Sequence, residues 1–283
     1  MKMCRNLIGT AFGVLAIVAL ASTTNASPIP VTGWIVHNGT STVGGTASNP
    51  TFTPGDNVTL MAPFSDISLA NDGDSIEAKT TLTMNSRTGT GVNSLNTQLR
   101  FALLDDSVNG TLTAGDFPNV GFTIEYANLN SGTPPQSREQ TSLTQTAPFV
   151  SPTSINNGTL DANGGSIQGA DPGPVTFDIK ITRNGGALDM VGSISGTDSV
   201  TSLPYLSTFG WTGHTSTNFP LNGPFSFNRL AVFLGGNVNA ATASLSDSSV
   251  NVVPEPTSLI LVAGMALSGV FMRKRTRRGA GQA

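Results

Sequence analysis

The chain has 283 residues, of which 11% are charged, and a formal net charge of −3. Between residues 27 and 253 it carries sixteen acidic and seven basic residues, a net charge of −9 for this span. Such a charge disfavours nucleic acid as a partner and is compatible with divalent cations and neutral glycans. Cys4 is the only cysteine. Residues 27–283 therefore cannot use disulfides, thiol catalysis or cysteine-ligated metals.

The amino-terminal segment has the three parts of a secretory signal peptide. Lys2 and Arg5 supply the positive charge, Leu7–Leu20 is apolar, and small residues follow up to Ala26. This order predicts a signal peptide over residues 1–26, passage through the secretory translocon and cleavage after Ala26, with Ala21 as the alternative. Cys4 lies before the apolar stretch, so a lipoprotein signal is not predicted.

The span after the signal peptide is rich in Gly, Ser, Thr and Asn, and it lacks a sustained helical period. Alternating apolar and polar residues predict several strands with one apolar face each: Ser75–Asn85, Gln98–Leu104, Gly121–Tyr126, Val175–Thr182, Ala187–Ser195, Phe225–Phe233 and Ala243–Val253. Asn184-Gly185-Gly186 between two of these runs indicates a hairpin. Together they predict an all-β fold over residues 27–250, a β-sandwich of jelly-roll type. Residues 128–174, with few apolar positions, are predicted to be a long loop or insertion.

One loop after a predicted strand has the spacing of a calcium-binding loop. Oxygen-bearing residues occupy relative positions 1, 3, 5, 7 and 12, which are Asp105, Ser107, Asn109, Thr111 (through its backbone carbonyl) and Asp116. Gly110 falls at position 6, where an EF-hand loop turns sharply, and the terminal Asp resembles dockerin loops. Ser107 replaces the usual carboxylate, and a strand precedes the loop. The alternative is a polar hairpin between two strands.

Other polar positions give weaker signals. Asn71-Asp72-Gly73-Asp74 is a second possible oxygen cluster, although a tight turn also explains it. Trp34 and Trp211, the latter near His214, suit either sugar stacking or core packing. His37 and His214 are the only candidate general bases among histidines, and Glu125 stands alone. Without a Gly-x-Ser-x-Gly motif or paired carboxylates, the chain is predicted not to be an enzyme.

The carboxyl-terminal segment joins three distinct parts. Pro254-Glu255-Pro256 comes first, and the apolar run Thr257–Met272 follows. The basic tail 273–278 then contains Arg273, Lys274, Arg275, Arg277 and Arg278. As a helix the apolar run would be about 24 Å long, shorter than a hydrocarbon core of about 30 Å. Basic residues resist crossing the bilayer, so they are predicted to stop transfer on the cytoplasmic side.

This order resembles the PEP-CTERM sorting signal of bacterial envelope proteins over residues 251–278. The resemblance implies recognition by an exosortase, a membrane enzyme that cuts near Pro254–Pro256 and releases or transfers the ectodomain. It also implies transient anchoring in the inner membrane, a cell-surface or extracellular destination, and an association with exopolysaccharide or biofilm. An ordinary single-pass anchor is the alternative.

The ectodomain itself is similar in pattern to concanavalin-like lectin sandwiches. The segments that carry this similarity are Asp74–Ala78, Leu99–Leu103, Val175–Gly196 and Arg229–Phe233. No diagnostic binding motif matches, so no binding residue follows from it. The sequence therefore predicts a non-catalytic surface or matrix protein. A glycan-binding module and a secreted glycan-cleaving enzyme remain the alternatives, and calcium is the one cofactor suggested.

Overall fold

A computed structural model describes most of the region between the two terminal signals. The described residues are 28–38, 41–54, 58–87, 98–105, 120–127, 136–140, 153–157, 174–197, 202–216, 225–234 and 240–253. Pro28–Val252 forms one compact unit. The signal peptide, the apolar run 257–272 and the basic tail 273–278 lie outside the described residues, so their predictions stay predictions.

The described part of the chain contains fifteen strands. In order they are β1 (Ile29–Pro30), β2 (Ile35–Asn38), β3 (Gly44–Gly45), β4 (Pro50–Phe52), β5 (Val58–Leu69), β6 (Ser75–Arg87), β7 (Gln98–Asp105), β8 (Val120–Ala127), β9 (Gln136–Gln140), β10 (Thr153–Asn157), β11 (Val175–Asn184), β12 (Ala187–Thr197), β13 (Pro204–His214), β14 (Phe225–Leu234) and β15 (Ala240–Val253).

These strands form two sheets. The eight-stranded sheet has the order β13-β12-β11-β6-β15-β4-β3, and β1 pairs with β15 beside this path. The seven-stranded sheet has the order β10-β9-β8-β7-β14-β5-β2. Consecutive strands such as β7 and β8 or β11 and β12 pair antiparallel, and the short Gly185-Gly186 connection permits this for β11 and β12.

The two sheets pack face to face, and apolar residues from both fill the space between them. Phe101 of the seven-stranded sheet lies 6.0 Å from Phe177 of the eight-stranded sheet, measured between ring centroids. A Cβ atom added at Gly192 would lie 3.3 Å from Cγ2 of Ile124, so the glycine admits this close approach. The predicted β-sandwich of jelly-roll type is therefore confirmed.

Every predicted strand is present, and each extends one or more residues beyond its predicted bounds. The hairpin also forms, because Asn184 pairs with Ala187 and Gly185 has a φ of 62°, the positive first turn position of a type II′ turn. Inward residues of β12, such as Leu188, Met190 and Ile194, are at most 1% exposed.

Several regions differ from what the pattern predicts, among them the short strands β1–β4, which it does not contain. Residues 128–174 are not entirely loop, because β9 and β10 lie within them and extend the seven-stranded sheet. The pattern also misses β5, which contains Pro63 and lacks strict alternation. It misses β13, where Ser207 occupies a buried position and Leu206 an exposed one.

The first and last strands lie side by side. Ile29 pairs with Val250, and Pro30 pairs with Ser249. β15 is not an edge strand, since β6 and β4 flank it in the sheet order. Its residues Ala243, Leu245 and Val250 are fully buried in the core. The strand that ends at Val253 is therefore an integral part of the sandwich.

Candidate functional site

A row of charged side chains crosses the outer face of the seven-stranded sheet. Leu99, Phe101 and Ile124 face the core, so Arg100 and Glu125, which alternate with them, lie on the opposite face. Arg100 pairs with Glu125 in register, and its Nη2 lies 3.2 Å from Oε1 of Glu125. On the other side, Nε of Arg138 lies 2.6 Å from Oε2 of Glu125. One carboxylate thus forms ion pairs with two guanidinium groups.

This arginine–glutamate row is buried although it is on an outer face. The side chain of Glu125 is 0% exposed, that of Arg100 is 8% exposed and that of Arg138 is 21% exposed. Burial lowers the pKa of Arg100, while the charge and hydrogen bond of Glu125 oppose the shift and the charge of Arg138 adds to it. Strand pairing thus brings two arginines to Glu125, and the sequence pattern did not predict either contact.

Neighbouring groups extend the row in both directions. The guanidinium carbon of Arg100 lies 5.2 Å from the ring centroid of Phe233, a cation–π distance. Arg138 donates from Nη2 to Oε1 of Gln136 at 2.6 Å. Thr123 pairs with Arg138 in register, is 0% exposed, and its Oγ1 has no hydrogen-bond partner among the described residues. Hydrogen-bond donors thus lie beside an aromatic ring on this face.

A second polar cluster joins the two sheets at one side of the sandwich. Glu139 pairs with core residue Phe122, so it lies on the inner face of the seven-stranded sheet. Its Oε2 lies 2.6 Å from Nε2 of His214, at the end of β13 in the other sheet. Ser216 donates its hydroxyl to Oε1 of the same carboxylate. Glu139 therefore links β9 to the segment that ends β13.

The geometry of these two clusters bears on catalysis. In the second cluster the carboxylate lies between the hydroxyl and the imidazole, so His214 is not placed to take a proton from Ser216. Glu125 and Glu139 lie on opposite faces of one sheet. They cannot flank one glycosidic bond as an acid and a nucleophile would.

Neither tryptophan presents a ring to solvent. Trp34 is 5% exposed and Trp211 is 8% exposed, and both belong to the inter-sheet core. The Trp211 ring lies 5.2 Å from Phe122 and 5.1 Å from His214, measured between ring centroids. Of the two roles that the sequence leaves open for these rings, core packing is the one observed.

The suggested calcium loop begins at a buried residue. Asp105 ends β7, pairs with Val120 at the start of β8, and is 2% exposed. The loop therefore connects two neighbouring antiparallel strands, as the hairpin interpretation expects, and a strand precedes it where an EF-hand loop has a helix. Ser107, Asn109, Thr111 and Asp116 lie outside the described residues. Among the described residues, no group of three or more His, Cys, Asp or Glu side chains is placed to hold a metal ion.

The Asn71–Asp74 segment forms the tight turn that the sequence offers as one interpretation. The backbone nitrogen of Asp74 donates to the carbonyl of Asn71 at 3.2 Å, and Gly73 has a φ of 83°. Oδ2 of Asp74 accepts hydrogen bonds from the backbone and side chain of Asn71 at 2.8 and 3.1 Å. Asp72 accepts from the backbone nitrogen of Gly185. The Asp74 carboxylate therefore closes the turn, and the Asp72 carboxylate fastens it to the β11–β12 hairpin.

The sorting residues Pro254, Glu255 and Pro256, and the five basic residues after them, lie outside the described part of the chain. Within the described part, no helix is long and apolar enough to cross a membrane. The last described residue is Val253, which ends β15 immediately before Pro254.

No protein-family model matches the chain, and no curated protein sequence matches it. Solved structures with a similar fold include the Emp46p carbohydrate recognition domain in its potassium-bound form, at 12% identity and a TM-score of 0.41, covering 77% of this chain and 87% of that one. Basic winged bean lectin with Tn-antigen has 13% identity and a TM-score of 0.43, covering 78% and 92%. Lectin I from Ulex europaeus, in complex with the methyl glycoside of alpha-L-fucose, has 10% identity and a TM-score of 0.42, covering 78% and 92%. At these scores, no ligand or site of this chain follows from the similarity.

Proposed function

We propose that this chain is a non-catalytic protein of the bacterial cell surface or extracellular matrix. The signal peptide directs it through the secretory translocon, the carboxyl-terminal segment holds it briefly in the inner membrane, and an exosortase removes that segment. The mature sandwich then associates with extracellular polysaccharide. The observation that carries this proposal is the order of Pro254-Glu255-Pro256, the apolar run 257–272 and the basic tail, placed directly after the last strand.

The arrangement of the two glutamates on the seven-stranded sheet supports a non-catalytic role. Glu125 is held by Arg100 and Arg138, and Glu139 is held by His214 and Ser216, on opposite faces of the sheet. A glycosidase needs two carboxyl groups about 5 to 9.5 Å apart on either side of one bond.

Replacing the basic residues tests the sorting part of the proposal. A cation at the bilayer centre costs about 2.5 to 3.5 kcal/mol, so the tail should stay cytoplasmic until the chain is cut. Changing all five basic residues, Arg273, Lys274, Arg275, Arg277 and Arg278, to Gln should slow processing and release unprocessed chain. Changing Lys79 and Lys180 to Gln in the ectodomain removes two charges without touching the tail and serves as the control. If the tail variant is processed as fast as the wild type, the basic cluster does not stop transfer. If the native mature protein retains residues 273–278, the sorting proposal is wrong.

A glycan-binding module is the second candidate, and the outer face of the seven-stranded sheet favours it. Arg138 and Gln136 place hydrogen-bond donors and an acceptor on that face, and both side chains are partly exposed. A glycan array with the full ectodomain, residues 27–253, tests this candidate. Binding that Arg138→Met weakens at least tenfold, while Lys180→Met on the other sheet does not, would support a defined sugar site. If the ectodomain binds no glycan on the array, the glycan-binding candidate is wrong and the matrix role stands alone.

A further inference from the structure

The turn between β11 and β12 begins with an asparagine followed by a glycine, and this pair can react with itself. We propose that Asn184 is a site of spontaneous deamidation, and that the fold slows the reaction by hydrogen bonding the backbone N–H of Gly185 to the carboxylate of Asp72. Asn184 pairs with Ala187 at the end of the hairpin. Asn184 and Gly185 are both exposed, so water reaches the site.

Deamidation at such a pair proceeds in two steps. The backbone nitrogen of Gly185 loses its proton and attacks Cγ of Asn184. An N–C bond forms in a five-membered succinimide, the Cγ–Nδ2 bond breaks, and the amide nitrogen leaves as ammonia with that proton. Water then breaks one of the two N–C bonds of the ring and gives aspartate or isoaspartate. Glycine favours the attack because it has no side chain to crowd the nitrogen.

The attacking nitrogen is hydrogen bonded in the folded protein. Gly185 donates its backbone N–H to Oδ1 of Asp72, which lies in the neighbouring Asn71–Asp74 turn. The attack needs this nitrogen without its proton, and the Asp72 carboxylate disfavours a second negative charge beside it. A carboxylate is also far too weak a base to take a backbone amide proton. The hydrogen bond therefore protects the nitrogen and does not activate it.

The side chain and backbone of Asn184 are also positioned against the reaction. Its Nδ2 donates to Oδ2 of Asp189 at 3.1 Å, and Oδ1 of Asp189 accepts from the backbone nitrogen of Gly213 at 2.7 Å. Asn184 belongs to the β11–β12 ladder, so ring closure must rotate its backbone away from the extended conformation. Deamidation therefore requires the turn to open locally.

Arg183 connects the two turns and makes such opening rare. Its backbone nitrogen donates to the carbonyl of Asp74, and the backbone nitrogen of Gly73 donates to the carbonyl of Arg183, both at 2.9 Å. The Nε atom of Arg183 donates to the carbonyl of Gly185 at 3.1 Å. Local opening of the hairpin end would break bonds of this set, so only a small population is open at any time.

Deamidation would change the turn in two ways. The new carboxylate would lie beside those of Asp72 and Asp189, and like charges repel. Isoaspartate would also add a methylene to the backbone at Asn184, opposite Ala187, where the tight connection fixes the register of the hairpin. The modified hairpin should therefore be less stable than the original one.

Mass spectrometry of the purified protein during incubation in mildly alkaline buffer tests the proposal. Fragment spectra assign the mass gain of deamidation to Asn184 and separate it from other asparagines. We expect the reaction at Asn184 to be at least about tenfold slower in the folded wild type than in the wild type unfolded with urea, because only the locally opened form reacts. Equal rates in the two conditions would overturn the proposal.

Two substitutions in the same turn test the role of Asp72. Asp72 is exposed, so Asp72→Ala should leave the fold intact while removing the acceptor, and we expect Asn184 to deamidate at least about fivefold faster. Asn71→Ala removes only a side-chain hydrogen bond to Asp74 and should stay within about twofold of the wild-type rate. If Asp72→Ala is no faster than the wild type, or if Asn71→Ala is as fast as Asp72→Ala, the role assigned to Asp72 is wrong.

Hydrogen exchange at the backbone amide of Gly185 gives a second readout. We expect faster exchange in Asp72→Ala than in the wild type, because the acceptor is gone. Asp72→Asn keeps an acceptor oxygen without the charge, so both its exchange rate and its deamidation rate should lie between those of the wild type and Asp72→Ala. Unchanged exchange at Gly185 in Asp72→Ala would contradict the protection.

Discussion

The Glu125 carboxylate lies between the guanidinium groups of Arg100 and Arg138, at 3.2 Å from one and 2.6 Å from the other. Removing its charge would leave two buried or half-buried cations facing each other. Because breaking a buried ion pair typically costs about 3–5 kcal/mol, we expect Glu125→Gln to lower the free energy of unfolding by that amount. Urea denaturation followed by circular dichroism measures it.

The matched control is Glu77→Gln on the outer face of the other sheet, where Glu77 pairs with Lys180 and is partly exposed. That change should alter the free energy of unfolding by less than about 1 kcal/mol. If Glu125→Gln lowers the free energy of unfolding by less than about 1 kcal/mol, the arginine–glutamate row does not stabilise the fold.

Gly121 permits β8 to approach β7. Its φ is 148°, and an added Cβ atom would lie 2.3 Å from the carbonyl oxygen of Leu103 and 2.8 Å from Cα of Leu104. Both atoms are backbone and cannot move aside, so we expect Gly121→Ala to destabilise the protein by at least about 2 kcal/mol. Thermal unfolding measures the loss. Gly210→Ala is the control, because its Cβ would meet only the Met190 carbonyl oxygen at an ordinary 3.6 Å. Equal melting temperatures for the two variants would contradict the expected clash.

Asp178 makes the free energy of unfolding depend on pH. Burial raises the pKa of Asp178 above its ordinary value of 3.8, and Glu77 raises it further, while Lys79 opposes the shift. The folded state therefore holds this proton more tightly than the unfolded chain, and stability falls as pH rises from 3.8 through the folded pKa. We expect Asp178→Asn to unfold at a higher temperature than wild type at about pH 7 and at the same temperature below about pH 3. A lower melting temperature for the variant at neutral pH would contradict this.

The loop that starts at Asp105 provides a test for calcium. Binding only to the folded state would stabilise it by RT ln(1 + [L]/Kd), about 2.7 kcal/mol at a hundredfold excess over Kd. If the loop binds calcium, the protein should melt at a higher temperature in millimolar calcium than in chelator, and Asp116→Asn should abolish the difference. Asp106→Asn, at a position that supplies no ligand, should preserve it. Asp105 itself is a poor choice for substitution because it is buried at the end of β7. Equal melting temperatures in calcium and in chelator would show that the loop is a polar hairpin that does not bind calcium.

Several features can be predicted from the sequence alone because they depend on neighbouring residues. Alternation of apolar and polar side chains has a period of two in any strand, so strands such as β6, β7 and β11 can be read locally. The sequence Asn184-Gly185-Gly186 likewise marks the β11–β12 hairpin, because glycine accepts the positive φ that Gly185 adopts in the turn. The export and sorting signals are linear motifs as well, and they remain predictions.

Other features depend on which strands become neighbours, and no local pattern contains that information. The pattern misses β13 because Ser207 lies in the core beneath the other sheet, and β9 because Glu139 is buried by its contacts with His214 and Ser216. Glu125 meets Arg100 and Arg138 only because β8 lies between β7 and β9, although Arg100 is 25 positions away along the chain. The sequence by itself determined the seven strands with clear alternation, which are β6, β7, β8, β11, β12, β14 and β15, and the predicted address of this protein. The pairing of strands decided which of its charges meet and which chain end is part of the core, because sheet contacts form between residues far apart in sequence.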